Sequence, residues 1–183
     1  MADAARAVDD TRRWLERAVV GLNLCPFAKA VLVKQQVHFC ASEAQDAAGV
    51  LDDFARELDA LVALPAQERD TTLLVLPHAF ADFLDFHDLT QRAERLVRKR
   101  GLEGVVQVAS FHPRFVFAGT GEDDITNYTN RAPWPTLHLL REESIDRAVA
   151  AFPDASAIYE ANMATLRRLG PEGWRALDVE ATP

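Results

Sequence analysis

The run TTLLVLP, from Thr71 to Pro77, is the strongest indication of architecture in this chain of 183 residues. Its first six residues carry no charge, and it ends at a proline, which cannot donate a backbone hydrogen bond to a sheet. A short continuous run of this kind is typical of a central strand that is covered on both faces. The rest of the chain must therefore supply helices for two faces of one sheet.

Amphipathic segments on both sides of this run predict those helices. Apolar residues repeat every three and four positions within 1–22, before Pro65, and over 82–100, 142–152 and 154–169. The first helix can end at a left-handed residue supplied by Gly21 or Asn23. Ser42 and Gln45 have the form of a capping box for the second helix.

Three further segments have the patterns of strands. Residues 31–39 alternate between apolar and polar positions, and residues 105–111 and 136–140 are interpreted as the third and fourth strands. Strands that are separated by amphipathic helices indicate crossover connections and a partly parallel sheet. We predict an α/β (α+β) fold, in which a mixed, partly parallel sheet of about four strands packs with about five helices.

The length suits one unit of structure. A chain of this size buries roughly 70% of the surface that its unfolded form exposes, so it needs no metal or disulfide to stabilise its core. We expect residues 1–183 to form a single globular domain, with an N-terminal helix over 1–22 and a C-terminal tail over 171–183.

Composition and charge restrict the classes of partner. The formal net charge is −8, and the densest basic run, from Arg95 to Arg100, falls in the last turns of a predicted helix, where the helix dipole favours positive charge. We therefore expect no nucleic-acid partner. No run approaches the ~20 apolar residues of a membrane-spanning helix, so we expect no membrane partner, and the oligomeric state is left open.

The two cysteines, Cys25 and Cys40, are interpreted as thiols in a reducing compartment, because nothing at the N-terminus resembles an export signal. This predicts a cytoplasmic protein.

The chain also lacks a P-loop, a dinucleotide fingerprint, a His-Glu-x-x-His helix, a Cys-x-x-Cys pair and a nucleophile elbow. Nucleotide hydrolysis, nicotinamide chemistry and zinc-finger roles are correspondingly disfavoured.

Candidate functional residues concentrate around a long irregular segment, 111–135. Loops longer than ~12 to 15 residues in a compact domain are usually functional or disordered, and three prolines with Tyr128 and Trp134 favour a fixed shape here. Arg114, Asn127, Asn130 and Arg131 are candidates for binding a substrate, because guanidinium groups bind carboxylate and phosphate in a bidentate manner. The alternative is that the arginines pair with nearby acidic residues.

Three histidines are placed near the expected ligand site. In sheets built from crossover units, ligands bind beyond the carboxyl ends of the strands. His112 directly follows the third predicted strand and His78 follows the second, so both imidazoles open onto one crevice if those strands are parallel neighbours. His138 lies inside the fourth strand, on the face opposite its two flanking leucines. Hydrogen-bonded, partly buried imidazoles are the structural alternative.

Cys25 is the remaining candidate. Pro26 suits the first position of a helix, which would leave Cys25 as a cap-like residue with its thiol shifted toward thiolate. The alternative is a small core residue between Leu24 and Phe27.

Three strings together resemble those of the bacterial Domain of Unknown Function 1415 family: GLNLCPFA (21–28), QVASFHPRFVFAG (107–119) and NYTNRAPWPTLHLLRE (127–142). The resemblance covers nearly the whole chain. It implies a cytoplasmic bacterial protein of a single family domain, and it brings no activity, substrate or catalytic residue.

Our leading hypothesis is a small cytoplasmic enzyme whose catalytic residues are Cys25, His112 and His138. Arg114, Asn127, Asn130, Arg131 and His78 would bind a small polar or anionic substrate. Either a thiolate nucleophile is paired with imidazole, or the three catalytic residues hold a divalent metal such as zinc with one position open for water. The alternative is a non-catalytic ligand-binding or protein-interaction module that uses the 111–135 loop.

Overall fold

The computed structural model describes residues 2–151 and 155–182. One sheet contains β1 (Val37–Ala41), β2 (Thr71–Val75), β3 (Val106–Phe111) and β4 (Thr136–Arg141), in the order β1-β2-β4-β3. β1 and β2 are parallel, and β4 is antiparallel to both β2 and β3. The predicted class, a mixed and partly parallel sheet packed with helices, is confirmed.

Helices connect and cover these strands. They are α1 (Ala2–Trp14) with a π-helical turn over Leu15–Val20, α2 (Ala28–Val33), α3 (Ala47–Ala63), α4 (Phe83–Lys99), α5 (Glu142–Ala151) and α6 (Ala155–Ala176), and a short 3-10 helix spans Ile125–Asn130. The predicted helix ends Phe152 and Asp154, and the terminal residues Met1 and Pro183, lie outside the described residues. No described helix combines the length and the apolar character needed to cross a bilayer.

Each face of the sheet has its own hydrophobic core. On one face, α3 and α4 pack through Phe54 and Phe86 against Leu74, Leu137 and Leu139. The other face carries α1, the π-helical turn and α6, with Trp14, Leu166 and Trp174 buried near Leu73. Because successive strand residues point to opposite faces, β2 contributes to both cores and all five of its residues are buried.

The strand predicted over 31–39 is wrong in its first part. Residues 28–33 form α2, and the chain reverses at Gln35, which has a φ of 57°, before β1 begins at Val37. Ala28 and Val31 of α2 line a cavity above the sheet. Tertiary packing of this short apolar segment therefore outweighs the strand preference of its valines.

Two predictions about helix ends are resolved by the backbone. The first helical segment ends at Asn23, which has a φ of 55°, whereas Gly21 remains helical at −62°. The capping box is wrong: Asp46 caps α3 by accepting a hydrogen bond from Gly49 N at 2.8 Å, and Ser42 instead donates to the Asp53 carboxylate. Asp46 is adjacent to the helix, whereas Ser42 is still in the connection from β1.

The C-terminal segment folds back onto the protein. A kink at Gly170, with a φ of 67°, is followed by a further helical stretch to Ala176. Trp174 in that stretch is 4% exposed, and its ring packs edge-on against Tyr128 at 5.0 Å between centroids. This contact closes the core beneath the 3-10 helix.

The buried face of α4 offers a matched test of core packing. Leu89 is 1% exposed and Leu84, in the same helix, is 72% exposed. We expect Leu89→Ala to lower the free energy of unfolding by about 2 to 5 kcal/mol, because it leaves a cavity. Leu84→Ala should change it by less than about 0.5 kcal/mol. Urea unfolding of both variants measures the difference, and equal losses would contradict the packing described for α4.

Candidate functional site

A cavity of about 140 Å³ lies between the sheet and the segments that cover its α1 face. Thr71 and Leu73 of β2 and His138 of β4 line it from the sheet side. The surrounding segments contribute mainly apolar side chains, among them Leu15, Phe27, Ala28, Val31, Ile145 and Ala148. A largely apolar cavity with a few polar groups is the usual form of a small-molecule site.

Cys25 and His138 both line the cavity, although they lie far apart in the sequence. Cys25 is half-buried in the turn between the π-helical segment and α2, and its carbonyl oxygen accepts a hydrogen bond from Ala28 N at 3.2 Å. Phe27, not Cys25, is the cap residue of α2, so the predicted cap-like position of Cys25 is wrong.

The hydrogen bonds of Thr71 fix the tautomer of His138. Thr71 Oγ1 lies 2.8 Å from the Leu139 carbonyl oxygen, which can only accept, so the hydroxyl donates its proton there. His138 Nε2 also contacts Thr71 Oγ1 and must then be the donor in that bond. The proton of the neutral imidazole is therefore on Nε2, and the lone pair is on Nδ1.

Burial lowers the pKa of His138 to about 4. The imidazole is therefore neutral at pH 7, and its Nδ1 can accept a hydrogen bond. No residue in 2–151 or 155–182 occupies that nitrogen with a hydrogen bond. Nδ1 is therefore an uncommitted hydrogen-bond acceptor, and the low pKa of the ring makes it a weak base.

A polar group forms one edge of the same cavity. Asp70 is 8% exposed, and its Oδ1 accepts a hydrogen bond from Ser144 Oγ. Arg141 also lines the cavity, but its guanidinium donates to the backbone carbonyl oxygens of Leu61, Leu64 and Arg69. Arg141 therefore anchors the chain around the site and is not available to bind a substrate anion.

His112 is not brought to Cys25 and His138. It packs against Phe86 of α4 at 5.1 Å between ring centroids, whereas His138 packs against Phe111 at 5.9 Å on the opposite face of the sheet. His112 Nε2 donates to the Phe80 carbonyl oxygen at 2.9 Å, and its Nδ1 accepts from Arg114 N at 3.0 Å. Both ring nitrogens are thus committed, so the metal site predicted from Cys25, His112 and His138 is not assembled.

His112 instead holds the segment that follows β2. Phe80 in that segment has a φ of 61°, which is an unusual backbone conformation for a bulky residue. The hydrogen bond from His112 to its carbonyl oxygen, together with the burial of the ring, stabilises this turn. β2 and β3 are not neighbours, because β4 lies between them, so the condition for His78 and His112 to open onto one crevice is not met.

The asparagines of the 111–135 loop act as internal braces. Asn127 is fully buried, accepts a hydrogen bond from Phe117 N at 2.9 Å and donates to Gly121 O at 2.7 Å. Asn130 donates to Ser110 O at 3.2 Å. These contacts give the loop its fixed shape and place both amides away from the Cys25–His138 cavity.

The arginines of the loop border a separate, open groove. Arg131 donates to the carbonyl oxygens of Phe115 and Glu122 and stacks over Tyr128 at 4.5 Å from the ring centroid. Arg114 is exposed and lines the same groove. His78 lies elsewhere, with Nε2 3.1 Å from Glu43 Oε2. None of these candidate binding residues lines the cavity.

Sequence reasoning missed Thr71 and Asp70 as site residues. A signal for Thr71 was present: it is two residues from Leu73 in an extended run, so both side chains lie on one face. Asp70 precedes the strand and gave no comparable signal, because its position depends on α5 packing beside β4.

Comparison with known proteins identifies a family. The family model described as "Protein of unknown function (DUF1415)" matches residues 6–176. No curated protein and no solved structure matches the chain.

The low pKa of His138 predicts a pH dependence of stability. In the unfolded chain the imidazole takes up a proton below its ordinary value of 6.5, whereas the folded protein holds it neutral down to about 4. The unfolded state then binds more protons, so stability falls as the pH drops from 6.5 to 4. We expect His138→Gln to lose less stability than the native protein over this interval, as measured by urea unfolding. Parallel losses in the two proteins would contradict a buried neutral imidazole.

Proposed function

The chain belongs to the DUF1415 family, and we propose that it is a small enzyme whose Cys25 thiol attacks a small, largely apolar molecule held in the cavity. The observation that carries this proposal is that Cys25 and His138 line the same cavity. A thiol and an imidazole in one apolar site are the two groups that thiol-dependent nucleophilic catalysis requires.

His138 would serve as the proton acceptor. Because its pKa is about 4, the resting site holds a neutral imidazole and not a stable imidazolium. The Nδ1 lone pair accepts the thiol proton as the sulfur forms a bond to an electrophilic carbon. An imidazolium with so low a pKa then releases that proton readily to a leaving group. Thr71 keeps the ring in the required tautomer and acts as a positioning residue.

The cavity lining favours an uncharged part of the substrate. Its surface is mostly aliphatic and aromatic, and Asp70 at its edge is acidic, so transfer of a carboxylate or phosphate into the cavity is disfavoured. The anionic substrate expected from the loop arginines finds no support in this site, because those arginines border the separate groove.

The proposal includes a cytoplasmic location. Cys25 and Cys40 are both free thiols, and the proposed chemistry needs Cys25 in the reduced form. A reducing compartment maintains that state.

Small activated esters test the proposal directly. With p-nitrophenyl acetate, Cys25 Sγ would bond to the acyl carbon, the ester C–O bond would break, and p-nitrophenol would leave with the proton that His138 accepted. We expect one acetyl group per chain, attached to Cys25, followed by slow hydrolysis of this adduct. His138→Gln should slow acylation by roughly tenfold or more, which is below the ~100- to 10,000-fold typical of proton-transfer residues because a base with a pKa of about 4 is weak.

Matched controls separate this site from ordinary thiol reactivity. Cys25→Ser should abolish the adduct, whereas Cys40→Ser should retain it, because burial raises the pKa of the Cys40 thiol to about 12 and leaves it protonated. Acetylation that is insensitive to His138→Gln would argue against the proposed proton transfer. An adduct on Cys40 in place of Cys25 would count against the site itself.

A second candidate function rests on the open groove beside the 111–135 loop. Phe83, Phe117 and the exposed Arg114 line it together with the acidic residues Asp82, Glu122 and Asp123, and the buried Asn127 braces the loop in a fixed shape. A rigid groove with aromatic side chains and charges of both signs suits non-catalytic recognition of a ligand or a protein. Under this alternative, Arg114→Ala would abolish the stabilisation of the fold by a bound anion in thermal-shift measurements, while Cys25→Ser would leave it unchanged.

A further inference from the structure

A second group of chemically reactive side chains lies on the other face of the sheet. His38 and Cys40 are two residues apart in β1, so their side chains share one face. Glu57 of α3 faces them. The ligand atoms of these three residues all lie within 4.8 Å of one another. This cluster is separate from the Cys25–His138 cavity, because Cys40 packs with the α3 and α4 core.

We propose that His38, Cys40 and Glu57 form a binding site for a divalent transition metal of the zinc type. Imidazole nitrogen, thiolate sulfur and carboxylate oxygen are the three donor types that zinc takes in proteins. Zinc sites with three protein ligands keep a fourth position for water or another small ligand.

The spacing of the donors requires only a small adjustment. Bond lengths of about 2.0 to 2.3 Å place the donors of a tetrahedral ion roughly 3.3 to 3.7 Å apart. His38 Nε2 and Glu57 Oε2 are already 3.6 Å apart. Cys40 Sγ now points toward the Leu73 carbonyl oxygen at 3.7 Å, a weak contact that a side-chain rotation can replace. Cys40 Sγ lies within 4.8 Å of the other two ligand atoms, so it must approach them by up to about 1.2 Å to reach a bonding geometry.

Arg69 positions the carboxylate of the cluster. It is 7% exposed, its Nη2 pairs with Glu57 Oε2, and its Nε donates to Thr72 Oγ1 at 2.9 Å. A carboxylate has lone pairs enough to accept this bond and to coordinate an ion at the same time. Metal-binding carboxylates are commonly held by such an outer hydrogen bond. The charge of Arg69 at the same time lowers the affinity for a cation, so we expect a site of moderate strength.

Access and proton balance are consistent with an exchangeable ion. The side chain of His38 is 42% exposed and that of Glu57 is 23% exposed, so the cluster opens to solvent. The Cys40 thiol is protonated at neutral pH in the metal-free protein, because burial raises its pKa to about 12. Binding of the metal therefore replaces that proton with a metal–sulfur bond and releases the proton to solvent.

Cobalt(II) is a suitable probe, because a thiolate ligand produces a charge-transfer band in the near ultraviolet. We expect the full-length protein to develop this band on titration with cobalt and to lose it when zinc is added in competition. Cys40→Ser should abolish the band. His38→Ala should weaken cobalt binding by roughly tenfold or more, as loss of a metal-site partner commonly does.

Cys25→Ser is the matched control, since it removes the other thiol and should leave the cobalt band intact. His78→Ala removes an imidazole that also pairs with a carboxylate, and it should likewise have no effect. Circular dichroism verifies that each variant is folded. Because the His38 side chain is half-exposed, His38→Ala removes a ligand without disturbing the hydrophobic core. A folded native protein without the band, or a band that depends on Cys25, would overturn the proposed site. Acylation of Cys25 would be unaffected by that failure.

Discussion

The burial of β2 on both faces is the constraint on which the rest of this structure depends. A strand whose side chains all avoid solvent must be flanked by two other strands and covered by two layers of helix. α3 and α4 satisfy one face, while α1, the π-helical turn and α6 satisfy the other. Both candidate sites arise where this covering is incomplete. The Cys25–His138 cavity lies beneath α2 and α5, which are short, and the His38–Cys40–Glu57 cluster lies at the edge strand β1.

The sequence predicted the elements that this constraint controls. The uncharged run from Thr71, the amphipathic α3 and α4, and the face occupied by His138 follow from two periodicities that local residues determine. Residues 28–36 were predicted less well, because alternating valines fit a strand and a one-sided short helix equally. Packing against the sheet decides between them, and that information is not local.

The candidate site was predictable only in part, because the contacts that assemble it are also not local in the sequence. Cys25 and His138 were both identified by their chemistry, yet their place in one cavity depends on how α2 packs above the sheet. The distinction between His112 and His138 depends on strand register. Ala109 is paired with His138, so Phe111 shares the His138 face and His112 is left to the α4 side. A shift of β3 by one residue would have placed His112 on the His138 face and Phe111 on the α4 side. No feature of β3 alone specifies the register.

The strand order has a consequence for the timing of folding. β4 lies between β2 and β3, although it is the last of the four strands in the chain, and β3 pairs with β4. Until β4 has been synthesised and inserted, one edge of β2 and both edges of β3 have no strand to pair with. The sheet therefore cannot grow one strand at a time as the chain leaves the ribosome. A chain that lacks β4 therefore leaves strand edges unpaired, and such edges are the surfaces that aggregate or recruit chaperones.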